Sequence, residues 1–368
     1  MAVTLVGIAA LVGLAVLWPG RAQPGESDFE LRVELVKARV VAIDPETCAG
    51  IGGSTDAPAC VRVTAEVTSG TTKGEVARFQ MVGGGIGASL SLGDRIVLSH
   101  APEAPPQQRY QFSDFERDRP LVLLAVLFAL AVVALGRWKG LRALLGVAAS
   151  VVALVTFVLP ALLGGSDALA VVVVAAALLA FVALYVTHGV TDTTTVALAG
   201  TLASLALTGL LGWLFVRLTQ LTGFASEESG FLRATSGDID LRGVLLAGIV
   251  IGSLGVLDDV TVTQVSTVSQ VHSADPALGR GELYRRGLEV GRDHIASTVN
   301  TLVLAYAGSS LPLLLLFTQT ARPVRDVLTG EVVATEVVRT LVGSIGLVAS
   351  VPLTTWLAAW AVTTRRRE

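Results

Sequence analysis

The chain has 368 residues, 52% of them hydrophobic and only 15% charged, with a formal net charge of -3. A soluble domain carries about 25% charged residues, so an ordinary soluble fold is excluded, and so small a net charge argues against nucleic acid as a partner. The apolar residues run together, as at 121–135 and 168–186, and about 20 such residues cross the hydrocarbon core. The pattern predicts a polytopic membrane protein whose first partner is the lipid bilayer.

Residues 1–18 are apolar and uncharged and end at Trp18-Pro19-Gly20. With no basic leader and no clear A-x-A cleavage site, they read as an uncleaved first span rather than a signal peptide. Residues 21–119 are soluble in composition. Within them 29–43, 60–67, 75–82 and 95–99 are rich in β-branched residues with partial alternation. Glycine-rich or Ser/Thr-rich turns at 50–55, 69–74 and 83–87 separate them. This predicts a small all-β domain, a barrel of about five strands. Both cysteines, Cys48 and Cys60, fall in this segment, and neither has metal-finger spacing. They pair if the segment lies outside the cytoplasm, or are two unrelated thiols. Residues 101–108 are a Pro-rich linker, and 110–119 (YQFSDFERDR) suit the membrane interface.

Apolar runs then recur at 121–135, 141–163, 169–187, 193–216, 241–257, 295–317 and 338–362, with polar loops at 220–241 and 273–292. The expected fold is a membrane all-α bundle of about eight transmembrane helices with a small extracytoplasmic all-β domain inserted after the first. Its parts are a first helix at 1–20, the β-domain and linker at 21–119, and a seven-helix domain at 120–368. With eight crossings both termini share one side. That side holds Arg137, Lys139, Arg142, Arg280, Arg285, Arg286, Arg292 and Arg365–Arg367. The opposite short loops hold Arg217, Arg233, Arg242, Arg322, Arg325 and Arg339. The positive-inside rule makes both termini cytoplasmic and residues 21–119 extracytoplasmic.

The chemistry gathers around residues 249–272, where an apolar run turns polar without a proline or loop signal. Asp258 and Asp259 stand at the change, and Asp259, Thr263, Ser266 and Gln270 follow one helix face. A charge at bilayer depth costs roughly 2.5–3.5 kcal/mol, which makes it a functional hypothesis by default. On that reading Asp258, Asp259, Thr263 and Gln264 form a substrate- or ion-binding site with Asp293 and Asn300, which share a face of the following span. His188, Asp192 and His294 are the weak candidates for a metal, since no H-x-x-x-H or H-E-x-x-H spacing occurs. The opposing reading is architectural: Asp258, Asp259 and Asp293 cap helices that begin there. An enzyme is not expected, because adjacent aspartates on one helix cannot face each other as a catalytic dyad. No cofactor is expected, and a homo-oligomer is compatible with the pattern.

Residues 231–264 (FLRATSGDIDLRGVLLAGIVIGSLGVLDDVTVTQ), the preceding Glu227-Glu228 and the stretch GRDHIASTVNTLVLAYAGSSLPLLLL from Gly291 resemble the YibE/F-like family of bacterial multipass membrane proteins. A Y-x-F-x-D-F-x-R segment at 110–117 fits as well. The family pattern has a single Asp after an apolar residue, which Asp259 matches, and a longer N-terminus than this one. The resemblance implies a permease-like protein of the bacterial plasma membrane. The expected function is transport of an ion or small solute through a carboxylate site in the cytoplasmic half of the bundle. The alternative is a non-transporting scaffold or envelope factor whose external β-domain binds a partner.

Overall fold

The structure is a computed structural model that describes residues 2–19, 34–47, 59–82, 90–225, 227–236, 239–319 and 323–364. Cys48, the expected turns at 50–55 and 83–87, and Arg365–Arg367 lie outside the described residues. The chain divides into two compact units, Glu26–Ala131 and Met1–Gly25 with Val132–Glu368.

The smaller unit is an antiparallel sheet of strands β1 (Glu34–Thr47), β2 (Ala59–Val67), β3 (Val76–Val82), β4 (Arg95–His100) and β5 (Tyr110–Phe115). Their spatial order is β3-β2-β1-β4-β5. Alternation decides which face is core: Val36, Val40, Val63, Ala65, Ile96 and Leu98 are all buried on one side. Within the segment expected at the membrane interface, 110–115 form the fifth strand, whose Tyr110 and Phe112 fill the same core as their neighbours. Among the described residues no ladder joins β3 to β5, yet the two strands lie against each other, so the sheet curls round as the expected barrel would. The Tyr110 hydroxyl ties the two edges by donating to Glu75 Oε2 at 2.9 Å. Where the sheet hands over to helix, the Glu116 carboxylate is 6% exposed and takes an ion pair from Lys37 at 3.2 Å. Arg95 adds a two-pronged bond, Nε and Nη2 each at 2.9 Å. Cys60 is disulfide-bonded and not a free thiol.

The helices are α1 (Ala2–Leu17), α2 (Asp118–Ala153), α3 (Leu159–Leu163), α4 (Ala168–His188), α5 (Asp192–Leu218) and α6 (Glu227–Ser236). They continue with α7 (Leu241–Ala274), α8 (Arg280–Ser309), α9 (Leu311–Thr318), α10 (Val324–Thr329) and α11 (Glu331–Thr364). A π-helical turn, Leu154–Val158, joins α2 to α3. Five helical stretches among the described residues are long and apolar enough to cross a membrane, or six with the bent pair α8–α9. The 46-residue stretch Asp118–Leu163 is one of these. It covers two of the expected spans and breaks at Arg137, whose φ of 51° and ψ of -128° leave the helical region. The helix α1 is shorter, at 16 residues. Dimensions, hydropathy and exposed apolar surface such as that of Val173, Leu210 and Leu304 are those of a membrane protein.

Two expected loops are largely helical. The Asp240 side chain caps α7 by accepting from the Gly243 amide at 3.0 Å. From there α7 runs unbroken for 34 residues, through Asp258 and Asp259 and on to Ala274. The next helix starts at Arg280, so Asp293 is in its interior. None of Asp258, Asp259 and Asp293 caps a helix, and the capping reading of these three residues falls.

Helices α5, α7 and α11 form the centre, with α4 against α7 and α8 against α11. Small residues make this possible. Ala197, Thr201, Ser204, Thr208 and Gly212 recur at steps of three and four and are buried on α5. Gly343, Leu347, Ser350, Thr354 and Ala358 do the same on α11. A Cβ on Gly200 would overlap Thr354 Oγ1, and one on Gly346 would overlap Thr208 Oγ1. Backbones this close gain dispersion and interhelical hydrogen bonds, which drive association where lipid offers no hydrophobic contrast.

Candidate functional site

The helix α7 positions four of the expected site residues along one axis. Asp258 lies about 26 Å along the helix from Leu241 at a rise of about 1.5 Å per residue. Its start is level with the start of α4, because a Cβ on Gly243 would overlap Ala168. The 21 residues of α4 span about 32 Å, so Asp258, about 22 Å beyond Gly243, sits a little over two-thirds of the way along that length. It is half-buried, and its Oδ1 is fully buried with no hydrogen-bond partner among the described residues. Asp259, next to it, is exposed.

Opposite these carboxylates stands the link from α4 to α5. His188 is exposed and within electrostatic range of Asp259, Lys139 and Arg142. Arg142 donates Nε to the Val186 carbonyl at 2.8 Å, which places a cation on the free carbonyls at the C-terminus of α4. Thr191 begins α5 by accepting from the Thr194 amide at 3.1 Å. Asp192 lines a small hollow with Ser269 and Val265 of α7 and Ala358 of α11. The ends of α4, α7 and α11 and the beginnings of α5 and α8 therefore share one end of the bundle.

One turn beyond Asp258, the Thr261 hydroxyl is 2.6 Å from that of Thr201 on α5, both fully buried. Thr261 Oγ1 also reaches the Asp258 carbonyl at 3.1 Å. Gln264 is 2% exposed and donates Nε2 to the Gly287 carbonyl at 2.6 Å and to Thr355 Oγ1 at 2.7 Å. A Cβ on Gly291 would come to 3.0 Å from its Oε1. Gln264 is thus a tie among α7, α8 and α11. Thr263 faces outward, as do Asp293 and Asn300 on α8. They stand apart from the packed junction that Gln264 makes with Gly287 and Thr355. His294 is half-buried, and its Nε2 has no partner among the described residues. Among the described residues no three His, Cys, Asp or Glu side chains gather as a metal-holding group.

Sequence reasoning missed Thr201, Thr261 and Thr355, which carry the polar contacts between helices. For Thr201 and Thr355 the signal was present as hydroxyls and glycines at steps of three and four in 194–212 and 343–358, whereas Thr261 belongs to the polar stretch that follows Asp258. In a span, that spacing marks the packed face.

Fold and site together define a helical membrane protein with a half-buried Asp258 and an exposed Asp259 side by side on one of its central helices, and a small separate sheet unit. The family described as YibE/F-like protein matches residues 124–364, and the chain belongs to that family. No curated protein and no solved structure matches the chain.

Proposed function

We propose that the protein is a permease of the bacterial plasma membrane that moves an ion or small solute, with Asp258 and Asp259 as its coupling site. The single observation that carries this reading is the buried Oδ1 of Asp258, without a partner among the described residues, in the interior of a membrane helix. A carboxylate left so is costly, and a proton or a cation at that oxygen removes the cost. Asp259 and His188 give the group a route to the bundle end. Occupancy of Asp258 then biases an equilibrium between inward-open and outward-open states. On this reading the chain crosses eight times: by α1, by the parts of 118–163 on either side of Arg137, by α4, α5 and α7, by α8 with α9, and by α11. Both termini are cytoplasmic and the sheet unit extracytoplasmic, as the arginine bias requires.

The test is flux into proteoliposomes across a panel of cations and small solutes, with wild type, Asp258→Asn and Asp259→Asn. Loss of flux in Asp258→Asn supports the reading; undiminished flux in both variants ends it. The dense packing of α5, α7 and α11 favours a second reading, a scaffold whose sheet unit binds an envelope partner. No flux of any solute, together with an envelope protein cross-linked to the sheet unit in cells, selects it.

A further inference from the structure

Asp293, Ser297, Asn300 and Leu304 follow one another on α8 at steps of four, three and four, which puts them on one face. All four are exposed, while Gly287, Gly291 and Leu302 face the bundle. The depth of the exposed face follows from α7. Gly291 lies against Gln264, and Leu302 and Ser253 both flank Gly343. The two helices therefore run antiparallel, and Asn300 is level with Gly255. Gly243 abuts Ala168, so that level is about 18 Å along the roughly 32 Å of α4. Asn300 is thus exposed near the middle of the membrane span.

Lipid does not fit such a face. Hydrocarbon offers an amide no hydrogen bond, and polar side chains within spans turn to protein or to water. Elsewhere the exposed helix faces carry large apolar residues: Val173 on α4, Leu210 on α5, Leu341 and Val348 on α11. Beside Asn300 stand Ser297 and Thr301, and further on Gly308, where an added Cβ would meet nothing within 4 Å. That is the composition of the chain's own packed faces, such as Thr201, Ser204, Thr208 and Gly212 of α5. Small residues let backbones approach, and a polar side chain bonds across the gap.

We infer that α8 is the contact helix of a homodimer, in which the exposed faces of two copies pack about a two-fold axis and their Asn300 amides bond each other. Self-complementarity selects a second copy over a different partner. An amide both donates and accepts, so Asn300 complements its own equivalent across a two-fold axis. Asp293 has the exposed Arg292 beside it, and neighbouring opposite charges are likewise their own complement. One asparagine between paired helices fixes their register. The inference stands without the permease reading, since neither a solute nor Asp258 enters it.

The experiment has two arms, both on the full chain. In native membranes, Ser297→Cys and Leu304→Cys, one turn either side of Asn300, should each give a dimer-sized disulfide band under mild oxidation. Wild type and Val173→Cys should not. In liposomes, energy transfer between donor- and acceptor-labelled copies should report association that falls on dilution with lipid. Asn300→Leu should weaken it by about threefold or more, and Ser297→Phe at least as much, while Val173→Phe leaves it unchanged. The face is exposed in the single chain, so the circular dichroism of each variant should match wild type. No association of wild type, association unmoved by Asn300→Leu and Ser297→Phe, equal cross-linking from Val173→Cys, or cross-links from α8 only to another protein overturns the inference.

Discussion

Gln264 Nε2 and the carbonyl oxygen of Gly287 are 2.6 Å apart in a site where the glutamine is 2% exposed. A buried amide that bonds a backbone carbonyl across helices positions the helices rather than awaiting a solute. Gln264→Leu keeps the bulk and removes the two bonds to Gly287 and Thr355, which costs about 1–3 kcal/mol. The expected outcome is a lower midpoint in detergent unfolding with binding or flux per folded molecule unchanged. A variant of wild-type stability that has lost flux would make Gln264 a ligand instead.

Asp258 behaves oppositely. Its buried Oδ1 has no partner among the described residues, so a neutral side chain of the same shape relieves a desolvation cost. Asp258→Asn should stabilise the folded protein by about 1–3 kcal/mol while abolishing flux. Raised stability with lost function marks a group kept for use. The unfolding midpoint decides the matter: a fall would show that Asp258 holds the bundle together.

How much of this was legible in the sequence depends on what the signal measured. Apolar runs located α4, α5 and α7 well, because a span is specified by its own length and hydropathy. The polar turn at 258–272 was visible as composition, yet composition does not say whether a helix ends. Only α7 running on to Ala274 shows that Asp258 is an interior residue and not a cap. Asp293 and Asn300 share a helix face, as their spacing says, but that face is exposed. Spacing reports which residues lie together on one helix and not which neighbour they meet. Thr201 and Thr261 are 60 residues apart in sequence, and no local pattern pairs them. Likewise Tyr110–Phe115 reads as an interface segment until β4 is beside it.

The contact between Gly346 and Thr208 offers a compensation test. A Cβ at Gly346 would overlap the Thr208 hydroxyl, and both residues are in the packed centre. Gly346→Ala should destabilise by about 1–3 kcal/mol through overpacking. Thr208→Ala removes the overlapping oxygen, so the double variant should recover part of the loss. Strict additivity of the two unfolding shifts would show that the helices separate rather than clash.

In the sheet unit, the Thr71 hydroxyl and amide donate to Glu34 at 2.6 and 3.1 Å. These bonds hold the Glu34 carboxyl below its ordinary value of 4.5. A group whose pKa is lower when folded contributes stability that is complete above the unfolded value and lost as pH falls through the folded one. The turn at 69–74 should therefore stay docked above pH 4.5 and loosen on further acidification. Amide exchange at those residues, corrected for its intrinsic pH dependence, should rise below that point in wild type. Glu34→Gln cannot be titrated and should exchange at a pH-independent corrected rate. If its profile matched wild type, another group would be opening the turn.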